Sequence, residues 1–519
     1  MKNGPGLSTA LLVAANILIP LSILVFATGF FPYKPFLPGL AEYEALHYGA
    51  PPDAPFDKLI FMVVDALRSD FVFSEDSGFE YTQGLIRDGS AVPFTANARS
   101  PTVTMPRIKS ITTGSIPSFV DLILNFDEGD TSSTLAAQDT WLAQFKSRKE
   151  GKLLMFGDDT WLKLFPNTFD RQDGTTSFFV SDFTEVDHNV TRNVAPELRN
   201  SDWGLMILHY LGLDHIGHKA GPRSSNMIPK QREMDSIVKT IFESLETEPH
   251  LQSTLLVICG DHGMNDAGNH GASSPGETSP ALVFMSPKFK SISPGLPAPT
   301  KPKDEFDYYA MVEQSDLAPT IAALLGFPVS KNNLGAFIPD FLGFWPESKD
   351  KIQVLVRNAR QLLQIIVATF GSDLFNDQTD VDPCATKATE VEELACDWRR
   401  INARASQLAA VDEFDQNWLS DITVWLRKAQ DVMSSMASNY DMSRLVLGQG
   451  LAIAGLAAGI TASTLQGAQK GWALVSTGLV AISYGIMMFA SSYVEEEQHF
   501  WYWASTLWLA YLGLHHVRR

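Results

Sequence analysis

Three side chains that could bind a metal ion lie in one short loop of this 519-residue chain, from Cys259 to Ala272 (CGDHGMNDAGNHGA). Asp261 and His262 are adjacent, and His270 follows after a glycine-rich gap. Adjacent side chains diverge on an extended backbone, but the glycines around this pair permit a tight turn in which both could reach one ion. Alone, the pair is typical of an exposed turn. Carboxylate and imidazole groups together are also the ligands of a Zn²⁺-type site.

Two further segments are built in the same way, with an apolar run that leads into an aspartate. Asp65 follows the apolar part of LIFMVVDALR, from Leu59 to Arg68, whereas Asp214 and His218 close WGLMILHYLGLDHIGH, from Trp203 to His218. We expect the glycine before His218 to turn the backbone so that both side chains reach one ion. A lone Asp-x-x-x-His is ordinarily a surface loop, but three Asp and three His placed after strand-length apolar runs favour a metal centre.

The charges of these residues suggest a type of reaction. Two divalent ions would bring four positive charges, and the carboxylates of Asp65, Asp214 and Asp261 would contribute three negative charges. The remaining positive charge would stabilise an alkoxide between the ions. The pattern therefore predicts a two-metal centre for phosphoryl or sulfuryl transfer.

A nucleophilic hydroxyl is expected near these ligands. The segment SPTVTMPRIKSITTG contains Thr104 directly before Met105-Pro106, and proline is favoured in the first turn of a helix. A threonine at such a position is ordinarily only a helix cap. Beside metal ligands, its oxygen could lose its proton near neutral pH and gain from the helix dipole. Thr102 is the rival candidate, and we expect it to point elsewhere.

The elements that must position these groups follow from the apolar pattern. Buried parallel strands are predicted to begin at Lys58, Leu153, Trp203, Thr254 and Ala281, and helices near Arg107, Lys230 and Gln314. This alternation predicts a doubly wound α/β sheet sandwiched by helices. Ligands gather at the carboxyl ends of strands in such sheets, which is where the candidate aspartates would lie.

Four apolar segments predict membrane spans, at residues 7–31, about 445–463, about 471–492 and about 500–515. Basic residues near the chain ends and at Lys470 would then be cytoplasmic, and the acidic YVEEEQH would lie on the other side. We therefore expect four regions: an anchor at 1–32, a lumenal catalytic domain at 33–345, a lumenal helical extension at 346–443 and a C-terminal membrane region of about three spans at 444–519.

The remaining composition is compatible with a lumenal domain. The net charge of −19 argues against nucleic acid as a partner. Cys384 and Cys396 could pair in an oxidising lumen, whereas Cys259 is expected to be a small core residue. One N-glycosylation triplet begins at Asn189.

At this point four motifs carry a resemblance to a known family. They are VDALRSDFVF from Val64, PTVTMPR ending at Arg107, DHIGH with the following KAGP, and GDHGMNDAGNHGASSPGE from Gly260. Together they resemble the alkaline-phosphatase superfamily and, within it, the GPI ethanolamine phosphate transferases of the endoplasmic reticulum membrane. The forms FVF, GNHGASS and NNLGAFIP are nearest the type-2 enzymes, which act on the second mannose.

The resemblance implies a site and a reaction. Asp214, His218 and His270 would bind one zinc, and the other would be bound by Asp65, Thr104, Asp261 and His262. Thr104 would take phosphoethanolamine from phosphatidylethanolamine and pass it to a mannose of the GPI precursor. A small membrane partner subunit is also compatible with this family. His215 and Asn269 would either orient the ligands or simply face solvent.

Other functions stay open. A membrane-anchored phosphodiesterase or nucleotide pyrophosphatase would use water as acceptor, although a hydrolase of soluble substrates needs only one anchor. A non-catalytic membrane scaffold is disfavoured because every expected ligand is present, and a sulfatase would need Cys or Ser in place of Thr104. Family members have a longer C-terminal membrane region, so we expect impaired handling of the lipid acceptor if the missing helices bind it.

Overall fold

The computed structural model describes most of the chain. The described residues are 5–30, 36–46, 49–116, 135, 138–148, 150–177, 179–375, 383–385, 389–411, 413–438, 441–465, 478–480, 482–484, 486 and 493–517. They form two compact units, one from Pro35 to Ser434 and one that combines Met1–Lys34 with Ser435–Arg519.

The larger unit is built on an eight-stranded sheet with the order β4-β3-β5-β1-β6-β7-β2-β8. The strands are β1 (Lys58–Val64), β2 (Ala91–Asn97), β3 (Lys152–Asp158), β4 (Arg171–Thr175), β5 (Trp203–Tyr210), β6 (Thr254–Cys259), β7 (Ala281–Met285) and β8 (Ala310–Glu313). The central strands are continuous apolar runs because both faces of the sheet are covered.

The pairing of β7 corrects the prediction of a wholly parallel sheet. The pairs β1-β5, β1-β6, β3-β5, β3-β4 and β2-β8 are parallel, but β7 runs antiparallel to both β6 and β2. The direction could not be predicted because an apolar run buried on both faces has the same pattern in either orientation. The strands β2, β4 and β8 were not predicted.

Helices pack on both faces of the sheet. Those of the larger unit are α2 (Ser69–Phe73), α3 (Glu80–Arg87), α4 (Thr104–Thr113), α5 (Trp141–Arg148), α6 (Thr160–Leu164), α7 (Glu185–Leu198), α8 (Gly212–Ala220), α9 (Met227–Thr247), α10 (Pro275–Thr278), α11 (Leu317–Leu325), α12 (Ser348–Phe370), α13 (Glu390–Val411) and α14 (Gln416–Ser438). Along β1, Leu59 and Phe61 point into one hydrophobic core, whereas Ile60 and Met62 point into the other. This alternation is the two-residue period of a strand, and it confirms the α/β sandwich.

The helical stretch that follows the sheet belongs to the same core. Leu355 of α12, Trp398 of α13 and Trp425 of α14 are buried in the cluster that covers one face of the sheet. In this region Cys384 and Cys396 form a disulfide, as their spacing suggested. Cys259 is a buried free thiol in β6, in agreement with the expected core role.

The smaller unit contains α1 (Pro5–Phe30), α15 (Met442–Leu465) and α16 (Tyr493–Val517). Among the described residues, two helices are long and apolar enough to cross a membrane, Gly6–Phe30 and Met442–Leu465. Gly448 lets α15 approach α1 closely, because a Cβ there would lie 2.8 Å from the backbone nitrogen of Phe26. The expected span at 471–492 lies largely outside the described residues, and the one at 500–515 falls within α16, so the number of spans stays a prediction.

Candidate active site

Neighbouring parallel strands bring the predicted residues to one edge of the sheet. The strands β5, β1 and β6 are adjacent and parallel, so their carboxyl ends coincide. Asp65 directly follows β1, and Asp261 lies two residues beyond β6. Asp214 and His218 are four residues apart in α8, which begins just after β5, so the two side chains lie on one helical face. The position of the candidate site therefore follows from the order of the strands.

The strand-end cluster consists of Asp65, Thr104, Asp261 and His262. The Nε2 atom of His262 lies 3.4 Å from Asp65 Oδ1 and 3.3 Å from Asp261 Oδ2. The Thr104 hydroxyl donates to Asp65 Oδ2 at 3.2 Å and lies 3.5 Å from His262 Nε2. Thr104 is the first residue of α4, as predicted, and its side chain is half-buried at the helix N-terminus. The hydroxyl thus faces the ligand atoms.

Backbone groups orient two of the three buried ligands of this cluster, Asp261 and His262. The Ala66 amide donates to Asp261 Oδ1 at 3.2 Å, and Ala66 has the left-handed φ of 58° that non-glycine residues rarely adopt. The Gly263 carbonyl, 2.9 Å from His262 Nδ1, can only accept, so it places the hydrogen on Nδ1 and the lone pair on Nε2. Asp65 Oδ1 and Asp261 Oδ2 are buried and have no hydrogen-bond partner among the described residues. Buried oxygens of this kind are expected to be paired, and a cation would pair them.

The helix-and-loop cluster consists of Asp214, His218 and His270. Asp214 Oδ2 lies 3.3 Å from His218 Nε2, and Asp214 Oδ1 lies 3.7 Å from His270 Nε2. The two imidazole Nε2 atoms are 3.0 Å apart. His270 Nδ1 donates to the Thr102 carbonyl at 2.8 Å, which leaves the Nε2 lone pair free to face the cluster. In each cluster the ligand atoms of the Asp and His side chains lie within 4.8 Å of one another, a spacing at which they could hold one metal ion.

The two clusters are immediate neighbours. The rings of His262 and His270 are stacked with their centroids 4.0 Å apart. The proximity affects ionisation, since burial and the neighbouring His262 lower the pKa of His270 to about 3. At neutral pH His270 is therefore an uncharged imidazole, the form that binds a metal ion.

The carboxylates have opposite pKa shifts. Burial and the nearby Asp261 and Asp214 carboxylates raise the pKa of Asp65 well above its usual range. Burial also acts to raise the pKa of Asp214, but the adjacent His218 outweighs it and the pKa is held below the usual range. A concentration of negative charge in a buried site is costly unless a cation compensates it. The residues thus fit two divalent ions in charge and in ligand type.

The structure separates the two candidate nucleophiles. Thr102 is fully buried, and its hydroxyl lies 2.8 Å from the Ala272 carbonyl and 3.1 Å from Glu277 Oε2. It also accepts from the Gly271 amide at 2.8 Å. Thr102 therefore points into the loop that carries His270, away from the strand-end cluster.

A buried glutamate that sequence reasoning missed supports this loop. Glu277 is 2% exposed. Its carboxylate accepts hydrogen bonds from Ala272 N (2.6 Å), Ser274 Oγ (2.8 Å), Asn265 Nδ2 (3.0 Å) and Thr102 Oγ1 (3.1 Å). No signal in the sequence distinguishes it from a surface glutamate.

A second missed contact links the helix of Thr104 to the strand-end cluster. Gln314 donates to the carbonyls of Gly260 (3.0 Å) and Asp261 (2.6 Å) and accepts from Arg107 Nε of α4 at 2.7 Å. Arg107 is buried, and burial lowers its pKa to about 10. The position of α4 and that of the Asp261 loop are therefore coupled through one amide side chain.

Three further predictions concerned Gly217, His215 and Asn269. The glycine before His218 does not turn the backbone, because Gly217 lies inside α8; its role is spatial, since a Cβ would lie 2.5 Å from the Met264 side chain. His215 does not face solvent, since it is 1% exposed and its Nδ1 donates to the Asp182 carbonyl at 2.7 Å. Asn269 is half-buried, and its backbone pairs with Asn265.

The structure also contains a third group of buried side chains that could bind a metal ion, which was not predicted. It consists of Asp65, Asp158 and His209. Asp158 closes the apolar run of β3 and His209 lies near the end of β5. Both follow the same pattern of a polar residue at the carboxyl end of a strand, so the sequence contained the signal that would have found them.

The comparisons with known proteins agree with the motifs. Residues 437–519 match the family model of the GPI ethanolamine phosphate transferase membrane region, and residues 137–275 match that of type I phosphodiesterase / nucleotide pyrophosphatase. The latter match agrees with an alkaline-phosphatase-like fold.

Curated relatives match nearly the whole chain. GPI ethanolamine phosphate transferase 2 of Aspergillus fumigatus is 53% identical to this chain. The matching region covers 98% of this chain and 61% of the Aspergillus protein. The protein of the same name from Yarrowia lipolytica is 43% identical, and the matching region covers 95% of this chain and 53% of the Yarrowia protein. This chain therefore spans between half and two thirds of the length of these relatives. The resemblance predicted from the motifs is confirmed: over nearly its whole length this chain is similar to proteins that carry the name GPI ethanolamine phosphate transferase 2.

Proposed function

We propose that this chain transfers phosphoethanolamine from phosphatidylethanolamine to the second mannose of the GPI precursor, through a covalent Thr104 intermediate. The reaction would take place at the endoplasmic reticulum membrane, with the unit from Pro35 to Ser434 on the lumenal side. The observation that carries the proposal is the convergence of the Thr104 hydroxyl, unpaired carboxylate oxygens and Nε2 lone pairs at one edge of the sheet.

The two clusters would each hold one zinc ion. Asp65, Asp261 and His262 would hold the ion next to Thr104, and Asp214, His218 and His270 would hold the other. Zinc supplies charge stabilisation for the transferring group and for the attacking oxygen. The predicted domain boundaries and ligand roles remain proposals.

The chain's own groups would act in two half-reactions. Asp65 Oδ2, 3.2 Å from the Thr104 oxygen, accepts the threonine hydrogen bond, and this contact would leave a lone pair of the threonine oxygen available to the phosphorus. Thr104 Oγ would form a bond to phosphorus as the bond to the diacylglycerol oxygen breaks, and diacylglycerol leaves with a proton. The N-terminal dipole of α4 favours the negative charge that develops there. A mannose hydroxyl would then attack the same phosphorus as the bond from phosphorus to Thr104 Oγ breaks, and the mannose proton would pass to the released threonine oxygen.

Replacement of the nucleophile tests the proposal. The full chain is expressed in cells that lack the modification of the second mannose, and GPI intermediates are analysed by mass. The parent chain should restore phosphoethanolamine on the second mannose, and Thr104→Ala should not, although its zinc content is unchanged. Thr104→Ser, which keeps a hydroxyl, is the matched control and should retain partial activity.

Several outcomes would contradict the proposal. Restoration by Thr104→Ala at the parent level would exclude both the nucleophile and the catalytic role. Phosphoethanolamine on the third mannose would exclude the proposed acceptor. The match to type I phosphodiesterase / nucleotide pyrophosphatase favours one alternative, a hydrolase, which would release phosphoethanolamine into water without any change in the GPI glycan.

A further inference from the structure

His209 is a buried histidine that the proposed mechanism does not use. It lies in β5, is 0% exposed and contacts two buried side chains. Its Nδ1 atom is 2.9 Å from Trp161 Nε1, and its Nε2 atom is 3.3 Å from Asp65 Oδ2. A histidine with both ring nitrogens in such contacts has a defined proton position.

Trp161 determines where that proton lies. The indole Nε1–H can only donate, so Nδ1 of His209 must present its lone pair. In the neutral ring the hydrogen is then on Nε2, which faces Asp65. His209 therefore donates its Nε2–H to Asp65 Oδ2, and Trp161 imposes this tautomer.

The consequence concerns the carboxylate of Asp65. Its Oδ2 atom receives two donors, His209 Nε2 and the Thr104 hydroxyl at 3.2 Å, while Oδ1 has no hydrogen-bond partner among the described residues. Oδ1 lies 3.4 Å from His262 Nε2, within the strand-end cluster. A carboxylate anchored at one oxygen presents the other in a fixed direction.

We propose that His209 is a positioning residue, which orients Asp65 so that Oδ1 faces the cation of the strand-end cluster, and that Trp161 sets its tautomer. The inference rests on the proposed function of that cluster. Partners that orient a ligand in this way typically change metal affinity by about 10-fold to 100-fold when they are removed.

The alternative is a third cation held by Asp65, Asp158 and His209, whose potential ligand atoms lie within 4.8 Å of one another. Asp158 Oδ2 is buried without a hydrogen-bond partner among the described residues, which favours a cation. However, a cation on His209 Nε2 would require the ring hydrogen on Nδ1. Two N–H groups would then face each other across 2.9 Å, so the Trp161 contact argues against this site.

The experiment is a zinc titration of the purified full chain in detergent, by competition with a chromogenic chelator. The parent should bind two equivalents. His209→Phe, which keeps a ring but removes the donor, should weaken one equivalent about 10-fold to 100-fold and leave the other unchanged. His209→Gln retains an amide donor and should recover most of this loss.

Trp161→Phe tests the contact between Trp161 and His209. It removes the N–H that fixes the tautomer but keeps an aromatic ring, so the affinity of the same equivalent should fall, by less than in His209→Phe. The unfolding midpoint of each zinc-free variant is measured in parallel. If His209→Phe does not fold, the comparison of His209→Gln, Trp161→Phe and the parent still decides the matter, because a tautomer effect weakens only one zinc equivalent.

Two results would overturn the inference. One is unchanged affinity of both equivalents in His209→Phe. The other is a parent stoichiometry of three that falls to two in both His209→Phe and Asp158→Asn, which would assign these residues to a third cation. The titration needs no acceptor, so if His209→Phe weakens one zinc equivalent while the parent chain itself fails to modify the GPI precursor, only the proposed function is contradicted. Normal transfer with unchanged affinity in His209→Phe would contradict only the positioning role.

Discussion

The strand-end cluster and the helix-and-loop cluster contain the same ligand types but are supported differently. Asp65, Asp261 and His262 have side chains at most 3% exposed, and sheet-end backbone groups orient the latter two. In the helix-and-loop cluster, Asp214 and His270 have side chains that are 10% and 15% exposed, and His270 depends on a loop. The difference indicates that the first cluster is the more rigid and the second the more accessible to a substrate.

This difference has a physical cause. Strand ends inside a sheet are fixed by hydrogen bonds to neighbouring strands on both sides, whereas the loop that carries His270 is held by a few contacts, chiefly those of Thr102 and Glu277. If the comparison is correct, substitutions in the strand-end cluster should cost the most, and changes in loop support should cost less.

The largest effect is expected for Asp261→Asn. The amide has the shape of the carboxylate and keeps an oxygen for the Ala66 amide, but it removes one negative charge from a fully buried ligand. We expect zinc at the strand-end cluster to be lost and the formation of the Thr104 intermediate to fall by at least about 10³-fold. Zinc content and intact-mass analysis of the enzyme after incubation with phosphatidylethanolamine measure both effects.

The helix-and-loop cluster should retain its zinc in Asp261→Asn. Loss of both zinc ions would show that the clusters form one cooperative unit and that the proposed contrast between them is wrong.

A smaller effect is expected for His270→Ala. The variant removes one of three ligands from the more exposed cluster, and water can enter the vacated position. We expect zinc affinity at this cluster to fall by about 100-fold, with the strand-end zinc unchanged. Titration with a chelator measures the two affinities separately, and equal weakening of both would contradict the comparison.

Glu277→Gln should have a weaker effect that acts only through the loop. The variant preserves volume but turns an amide N–H₂ toward donors that the carboxylate accepted, including the Ala272 amide and the Ser274 hydroxyl. Unsatisfied buried donors cost about 1 to 3 kcal/mol, so the affinity of the helix-and-loop zinc should fall by about 10-fold. Glu313→Gln, at a half-buried carboxylate that pairs with Arg99 outside both clusters, is the matched control.

The smallest effect on the clusters is expected for Cys396→Ser. The disulfide with Cys384 closes a separation of 12 residues, so its loss should lower the free energy of unfolding by about 3 kcal/mol in the chain-entropy model. Zinc content and transfer activity of the folded enzyme should stay within about twofold, because the disulfide lies in the helical stretch after the sheet. A change in zinc stoichiometry in this variant would show that the support of the clusters extends beyond the sheet edge.

Much of the fold and of the candidate site was predictable from local patterns. The runs at β1, β3, β5 and β6 predicted strands correctly, and the polar residues after them predicted where the ligands lie. The antiparallel direction of β7 was not predictable, because a strand that is buried on both faces has the same apolar pattern in either direction. Glu277 and Gln314 were missed because their burial depends on contacts with residues far away in the chain.

The sequence by itself determined which residues could bind metal ions, the apolar runs that form the central strands and the family to which the chain is similar, because these depend on residue type and short spacing. Only the tertiary structure decided how the ligands divide by geometry into two clusters, that Thr104 and not Thr102 faces them, and that Trp161 and His209 lie behind Asp65. Each of these depends on the order of strands in the sheet, which brings together residues that are 39 to 195 positions apart in these contacts. Local patterns contain no information about that order.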